Sequence, residues 1–235
     1  MNNTDDRKQI FPNLKVTVLI CAFNEADNLP YVLPKIPEGI YEVLLIDGHS
    51  TDNTIKVARS LIPSIRIESQ PKKGKDDALE YGVLLAKGDI VITLDADGNT
   101  NPEEIPNFIE PLKQGHDFVK GSRFLHTKPL HMPRHRIFGN WVLYTEVNLL
   151  FGTRFTDVCS GYNAFWKKAW EKIKFPKPFG YEPLILIRAK KAGLKIVEVS
   201  TLDKGRISGE SKLPSWPQGW KTFKAVLLER FTRLS

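Results

Sequence analysis

Two kinds of hydrophobic spacing alternate along the chain. Lys15–Ala22 (KVTVLICA), Glu42–Asp47 (EVLLID) and Asp89–Asp95 (DIVITLD) are short, β-branched and almost continuously apolar, and each stops where polar residues begin. Such runs predict parallel strands covered on both faces. The stretches between them repeat apolar residues every three or four positions, which predicts helices over Glu25–Ile36, Thr51–Leu61 and Lys75–Lys87, with a weaker strand at Ile65–Ser69. This alternation predicts an α/β fold: a Rossmann-like, mostly parallel sheet flanked by helices, with its chemistry at the carboxyl ends of the strands.

Past Pro102 the pattern continues with a helix to about Gln114 and a strand near Phe118–Ser122, then Leu125–Arg136, a basic stretch without an acidic residue. A long helix is expected over Phe138–Phe151, another over Glu182–Ala192, and a strand at Lys195–Val199. In Ser215–Phe231, Trp216, Trp220, Phe223 and Leu227 fall at i, i+4, i+7 and i+11, the spacing of an amphipathic helix. No internal repeat or low-complexity linker intervenes, so the second half reads as elaboration of a single domain.

At 235 residues the chain can bury one sizeable core. Its net charge of +7 is unevenly divided: residues 1–119 carry 12 basic and 19 acidic side chains, residues 120–235 carry 22 and 8. An acidic half that can hold a cation is thus joined to a basic half suited to phosphates or an anionic membrane, although solvated charged faces are the plainer reading. The two cysteines, Cys21 and Cys159, form no CxxC pair, which excludes a disulfide framework and points to a reducing cytosol. The polar start MNNTDDRKQIFPN has no apolar signal region. Ile137–Phe151 is interrupted by Asn140, Glu146 and Asn148, short of the about 20 apolar residues of a spanning helix. Membrane contact is therefore expected to be peripheral, or to come through another chain.

The most informative stretch is Asp95-Ala96-Asp97-Gly98-Asn99. Two carboxylates at i and i+2, where a strand ends in a turn at glycine, can reach one hard divalent cation, with Asn99 as a neutral oxygen donor nearby. An Asp-rich turn can equally satisfy its own backbone. Asp47, in Ile46–Thr54 (IDGHSTDNT), can accept from a base or ribose, while Ser50, Thr51 or Asp52 can cap the following helix. Cys21–Leu29 (CAFNEADNL) is placed likewise, and three polar strand ends side by side make a nucleotide-sized cleft. Lys72-Lys73-Gly74-Lys75 lacks the leading glycine and the following hydroxyl residue of a P-loop, which argues against ATPase chemistry. His126, His131 and His135, in a proline-interrupted loop without cysteine neighbours, are read as solvent-exposed.

Together these segments resemble glycosyltransferase family two, with its GT-A fold, and within it the dolichyl or polyprenyl phosphate mannose and glucose synthases. The family's P-x-Y-N-E stands here as Cys21-Ala22-Phe23-Asn24-Glu25, without the proline, and its V-D-D/G-x-S-x-D-x-T as Ile46–Thr54. Its G-K-G-x-A-L stands as Gly74-Lys75-Asp76-Asp77-Ala78-Leu79, with Asp76 for the second glycine, and its D-x-D as Asp95-Ala96-Asp97, followed by Asn99 and Pro102. Gly121-Ser122-Arg123 is similar to G-S-R, Asp157–Tyr162 (DVCSGY) to D-x-x-S-G-[FY], and Arg206–Lys212 (RISGESK) to a closing R-x-x-G-x-S-K loop. The Q/R-x-x-R-W signature of polysaccharide synthases and the G-x-G-T-R-x-x-P loop of sugar-nucleotide pyrophosphorylases are absent. The likeness sets the expected organisation: a flexible segment over 1–14, a GT-A catalytic domain over 15–212, and a C-terminal amphipathic helix over 213–235.

The resemblance implies an inverting, metal-dependent hexosyltransferase. It would move a sugar from a nucleotide diphosphate sugar of GDP-mannose or UDP-glucose type to a membrane polyprenyl or dolichyl phosphate, in the cytoplasm at a membrane face. The implied nucleotide-sugar ligands are Ala22, Asn24, Glu25, Asp47, Lys75, Asp95 and Ala96, and the implied ligands of Mg²⁺ or Mn²⁺ are Asp95, Asp97 and Asn99. Arg123, Arg134 or Arg136, Arg206 and Lys212 are implied for the acceptor phosphate, and Asp97, Arg123 and Glu182 for catalysis. A phosphate acceptor is already anionic and needs positioning by arginine rather than a base. Transfer to a hydroxyl of a glycan, lipid or metabolite would need one, for which Asp157 or Glu182 are the candidates. A nucleic-acid binder would explain the basic charge but not the paired aspartates, so no nucleic-acid partner is expected. The C-terminal helix suits either a bilayer interface, with Lys221, Lys224 and Arg230 beside its stripe, or the core.

Overall fold

The apolar runs become neighbouring strands. β1 (Val16–Ala22), β2 (Glu42–Asp47), β3 (Arg66–Ser69) and β4 (Ile90–Asp95) are parallel, and β1 lies between β2 and β4 with Ala22 beside Asp47 and Cys21 beside Asp95. β5 (Phe118–Ser122), β6 (Asn163–Trp166) and β7 (Ile196–Ser200) complete a seven-stranded sheet of order β3-β2-β1-β4-β6-β5-β7. β6 runs antiparallel to both neighbours, and β7 is parallel to β5. The structure is a computed structural model that describes residues 14–126, 129, 132–173, 182–209 and 215–233. The expected N-terminal segment thus lies almost wholly outside the described residues.

Eight helices among the described residues cover the sheet: α1 (Leu29–Val32), α2 (Thr54–Leu61), α3 (Lys75–Leu85), α4 (Ile105–Lys113), α5 (Arg134–Phe151), α6 (Lys167–Trp170), α7 (Glu182–Lys191) and α8 (Ser215–Glu229). α1, α2 and α4 pack on one face against Val18, Ile20, Ile92 and Val119. α3, α5 and α7 pack on the other against Leu19, Val91, Phe118 and Phe165. The helix expected over Glu25–Ile36 is reduced to α1 and a 3-10 turn at Leu33–Lys35, because Pro34 can neither donate to the preceding turn nor fit behind it. α5 begins earlier than expected, directly behind Pro133, so Arg134 and Arg136 belong to its first turn.

α8 packs on α5 and α7 and buries Thr222, Val226 and Glu229. Glu229 is ion-paired with Arg188 at 2.9 Å and Lys191 at 2.8 Å. The apolar stripe expected there is divided: Phe223 leans on the core, whereas Trp220 and Leu227 face outward with Leu228 and Phe231.

On the α3, α5 and α7 face the cross-strand rows change character toward the site. Val91, Phe165, Phe118 and Ile196 stand in register on β4, β6, β5 and β7, with Phe118 stacked on Phe165 at 5.4 Å. The next row on the same face is Thr93, Asn163, Lys120 and Glu198. The apolar core ends at this polar row.

Candidate active site

The carboxyl ends of β1, β2 and β4 set Ala22 beside Asp47 and Cys21 beside Asp95. The loops that follow are tied to each other. Asn24, in the left-handed region at φ 53°, accepts from the Thr51 N–H at 2.7 Å, and its own N–H donates to Ser50 Oγ at 2.9 Å. Asp47 is buried and accepts from the Ser50 N–H at 3.1 Å. Asp52 accepts from the Thr54 N–H and hydroxyl and from the Ala26 N–H. These hydrogen bonds tie the loops after β1 and β2 to each other.

Asp95 and Asp97 flank one turn but face different partners. Asp95 lies 2.6 Å from Lys75 Nζ, which is also 3.3 Å from Glu182 Oε1. Burial raises the Asp95 carboxyl, but the charge and hydrogen bond of Lys75, together with the charges of Arg123 and Lys120, hold Asp95 below the usual carboxylate range. Asp97 accepts from the Asn99 N–H and Nδ2, both at 3.1 Å, and burial followed by the charge of Asp95 pushes it up to about 6. Carboxylate and amide oxygens are the donors that a hard divalent cation takes. Among the described residues no group of three or more His, Cys, Asp or Glu could hold an ion alone. Asp95, Asp97 and Asn99 are the carboxylate and amide groups at this turn.

The segment 203–209 lies across this turn. Ile207 N–H donates to the Asp97 carbonyl and Lys204 N–H to that of Asn99. Arg206 donates to both Glu25 oxygens at 2.8 and 2.7 Å and lies 3.6 Å from Asp97, which places it beside the Asp95–Asp97 turn, whereas Arg123 pairs with Asp157. Asn28 and Ser208 exchange hydrogen bonds, with Ser208 N–H to Asn28 Oδ1 at 2.8 Å and Asn28 Nδ2 to the Ser208 carbonyl at 3.3 Å. Gly98 turns at φ 81°, where any side chain would run into Ile207. Lys212 lies outside the described residues.

Beyond β5, Arg123 grips Asp157 through Nε to Oδ2 at 2.6 Å and Nη2 to Oδ1 at 3.0 Å. Asp157 is fully buried and also accepts from the Cys159 and Ser160 N–H groups. Burial raises this carboxyl, but the charge and hydrogen bonds of Arg123, with the charge of Lys120 and the Cys159 N–H, hold Asp157 below the usual range. Glu182 heads α7, with Oε2 buried and without a hydrogen-bond partner. Arg134 and Arg136 are exposed on the first turn of α5, as are His126 nearby and His135; His131 lies outside the described residues. Burial pushes the thiols of Cys21 and Cys159 up to about 12, which makes neither a nucleophile.

Residues that the motifs do not mark also reach this region. Asn140, one turn along α5 from Arg136, is buried with neither amide atom hydrogen-bonded. Lys120 is buried in β5 and donates to the Ser160 carbonyl. Its one trace in the sequence is a lysine inside an apolar strand (FVKGS).

Residues 17–174 match the family model described as Glycosyl transferase family 2. A dolichol-phosphate mannosyltransferase of Pyrococcus furiosus is 32% identical over 210 residues, which are 85% of this chain and 59% of that longer protein. A dolichyl-phosphate hexose transferase of Haloferax volcanii is 30% identical over 226 residues, 93% of this chain and 96% of the relative. Among solved structures, glucosyl-3-phosphoglycerate synthase from Mycobacterium tuberculosis, in complex with Mn²⁺, UDP-glucose and phosphoglyceric acid, aligns with a TM-score of 0.72 at 22% identity, covering 93% of this chain and 80% of that one.

Proposed function

The chain belongs to glycosyl transferase family 2 and has its GT-A fold, and from that premise we propose that it transfers a hexose, with inversion, from a nucleotide diphosphate sugar to the phosphate of a polyprenyl or dolichyl lipid. The observation that carries this reading is the state of the two carboxylates a hydroxyl acceptor would need. Asp157 is clamped by Arg123 in a charge-assisted pair that makes it a poor base, and Glu182 is turned toward Lys75. An acceptor phosphate needs no base. It needs cationic donors such as Arg123, Arg134 and Arg136, and the name of the relative of nearly equal length supports the same acceptor class.

Asp95, Asp97 and Asn99 would hold Mg²⁺ or Mn²⁺ on the donor side. When bound, such a cation stabilises the charge that grows on a departing diphosphate. Asn24, Glu25 and Asp47 shape the nucleotide cleft, and Lys75 keeps Asp95 ionised. The test incubates the protein with GDP-mannose, UDP-glucose and other nucleotide sugars, either cation, and a short polyprenyl phosphate or hydroxyl acceptors, then separates the products. Sugar-phosphate lipid is the expected product, and Glu182→Gln should slow its formation less than about tenfold. A loss of about 10²–10⁴-fold in that variant, or products on hydroxyls alone, would instead make Glu182 the base for a hydroxyl acceptor.

We further propose a peripheral contact with the cytoplasmic face of a membrane. No helix among the described residues is long and apolar enough to cross one. Trp220 and Leu227 on α8, Phe231 in the turn after it, and Phe138, Trp141 and Leu149 on α5 are exposed, and Lys221, Lys224 and Arg230 are exposed beside the α8 group. Apolar stripes with basic flanks suit an anionic bilayer surface. The protein should co-sediment with anionic liposomes, less so as salt rises, and Trp220→Ser combined with Phe231→Ser should weaken binding several-fold. Undiminished binding by that folded variant would move the contact elsewhere.

A further inference from the structure

Neither the motifs nor the family assignment accounts for the polar row of the sheet. Thr93, Asn163, Lys120 and Glu198 stand in register on β4, β6, β5 and β7, and each holds part of the segment 156–161. Thr93 Oγ1 donates to the Gly161 carbonyl at 2.6 Å, and Asn163 Nδ2 donates to the same oxygen at 3.2 Å. Lys120 Nζ donates to the Ser160 carbonyl. Glu198 accepts from the Thr156 N–H at 3.0 Å, the Thr156 hydroxyl at 3.1 Å and the Asp157 N–H at 3.1 Å. The segment they hold touches both halves of the site. Asp157 clamps Arg123, while at Gly161 an added Cβ would lie 2.8 Å from both Asp95 Oδ2 and Lys75 Nζ.

Lys120 is the costly member of the row. It is 1% exposed, and its hydrogen bond is to a neutral carbonyl rather than a carboxylate. Burying a charge without a close counter-ion opposes folding, and an apolar side chain of the same length would suit the strand better. We propose that this row positions the acceptor side: Lys120, Asn163 and Glu198 are positioning residues that fix the segment 156–161, and through it Arg123, relative to Asp95, while the Lys120 charge adds positive potential beneath the acceptor phosphate. This rests on the phosphate-acceptor reading above.

Lys120→Met and Glu198→Gln, made singly and together in the full chain, test it through thermal midpoints and through kcat and KM for donor and for a short polyprenyl phosphate. Lys120→Met should keep or raise the midpoint and leave the donor KM within about twofold, yet lower kcat/KM for the acceptor by about 10–10²-fold, the range expected when a reacting group is misplaced. Glu198→Gln should show the same split, and the double variant should lose less than the product of the singles, because both act through one segment. Wild-type acceptor kinetics in a folded Lys120→Met protein, or equal losses for donor and acceptor, would overturn the proposal. If Lys120→Met does not fold, Glu198→Gln and Asn163→Ala decide by the same split. A wild-type protein that uses only hydroxyl acceptors would refute the phosphate reading, and the split read with those acceptors would still decide whether the row positions that side.

Discussion

Asp97→Ala should lower kcat/KM by on the order of 10³-fold, about 4 kcal/mol of barrier, if a divalent cation at this turn stabilises the leaving diphosphate. Asp97 is the sharper test than Asp95, because removing Asp95 also takes away the nearer of the two carboxylates beside the Lys75 ammonium. Without Asp97, Arg206 keeps both bonds to Glu25, so the segment across the turn should stay in place. The variant should therefore unfold near the wild-type midpoint while Mn²⁺-dependent binding of the nucleotide sugar, followed by calorimetry, disappears. Unchanged turnover, or full wild-type activity in excess chelator, would remove the metal role.

Asp157→Ala should cost about 3–5 kcal/mol of stability, because it removes the fully buried carboxylate that holds Nε and Nη2 of Arg123 and the N–H groups of Cys159 and Ser160. The sign with pH follows from the depressed carboxyl: its stabilisation is present above the ordinary carboxylate range and is lost as pH falls through the native value. Urea midpoints at neutral pH should drop steeply in the variant, and the gap from wild type should narrow in acid. Arg123→Met with Asp157→Leu should recover much of the stability but not the transfer, since an arginine–phosphate contact of about 1.5–3 kcal/mol goes with it. An Asp157→Ala protein as stable as wild type would mean that the pair only orients Arg123.

The strand ends that carry Asp47 and Asp95 were legible because two signals coincide there. β1, β2 and β4 are apolar almost to their ends, and β2 and β4 close on Asp47 and Asp95, so the polar stops mark the carboxyl ends of the strands. β6 was not legible: four residues, NAFW, show no period, and their direction is set by pairing with Val91 and Phe118 from distant parts of the chain. Spacing placed Arg206 in a loop but could not name its partner, since Glu25 lies 181 positions away. For α8 the helical period identified an apolar stripe without saying which side is covered, and Val226 with Thr222 takes the core in place of Trp220. Lys120 was visible only as an oddity in an apolar run, because its meaning depends on the three strands beside it.

The exchange of bonds between Asn28 and Ser208 closes the chain on itself over 180 positions at the mouth of the cleft. Polar contacts of Arg206, Lys204 and Ile207 add to this closure, but it buries little apolar surface: Ile207 at its tip is 44% exposed, whereas the strands beneath are buried. Segments with so little burial exchange their amide hydrogens through small local openings rather than through global unfolding. The mouth and the sheet thus belong to different cooperative units. Access to the turn of Asp95 and Asp97 is then set by the free energy of releasing one short segment, and stabilising the sheet would leave that access untouched.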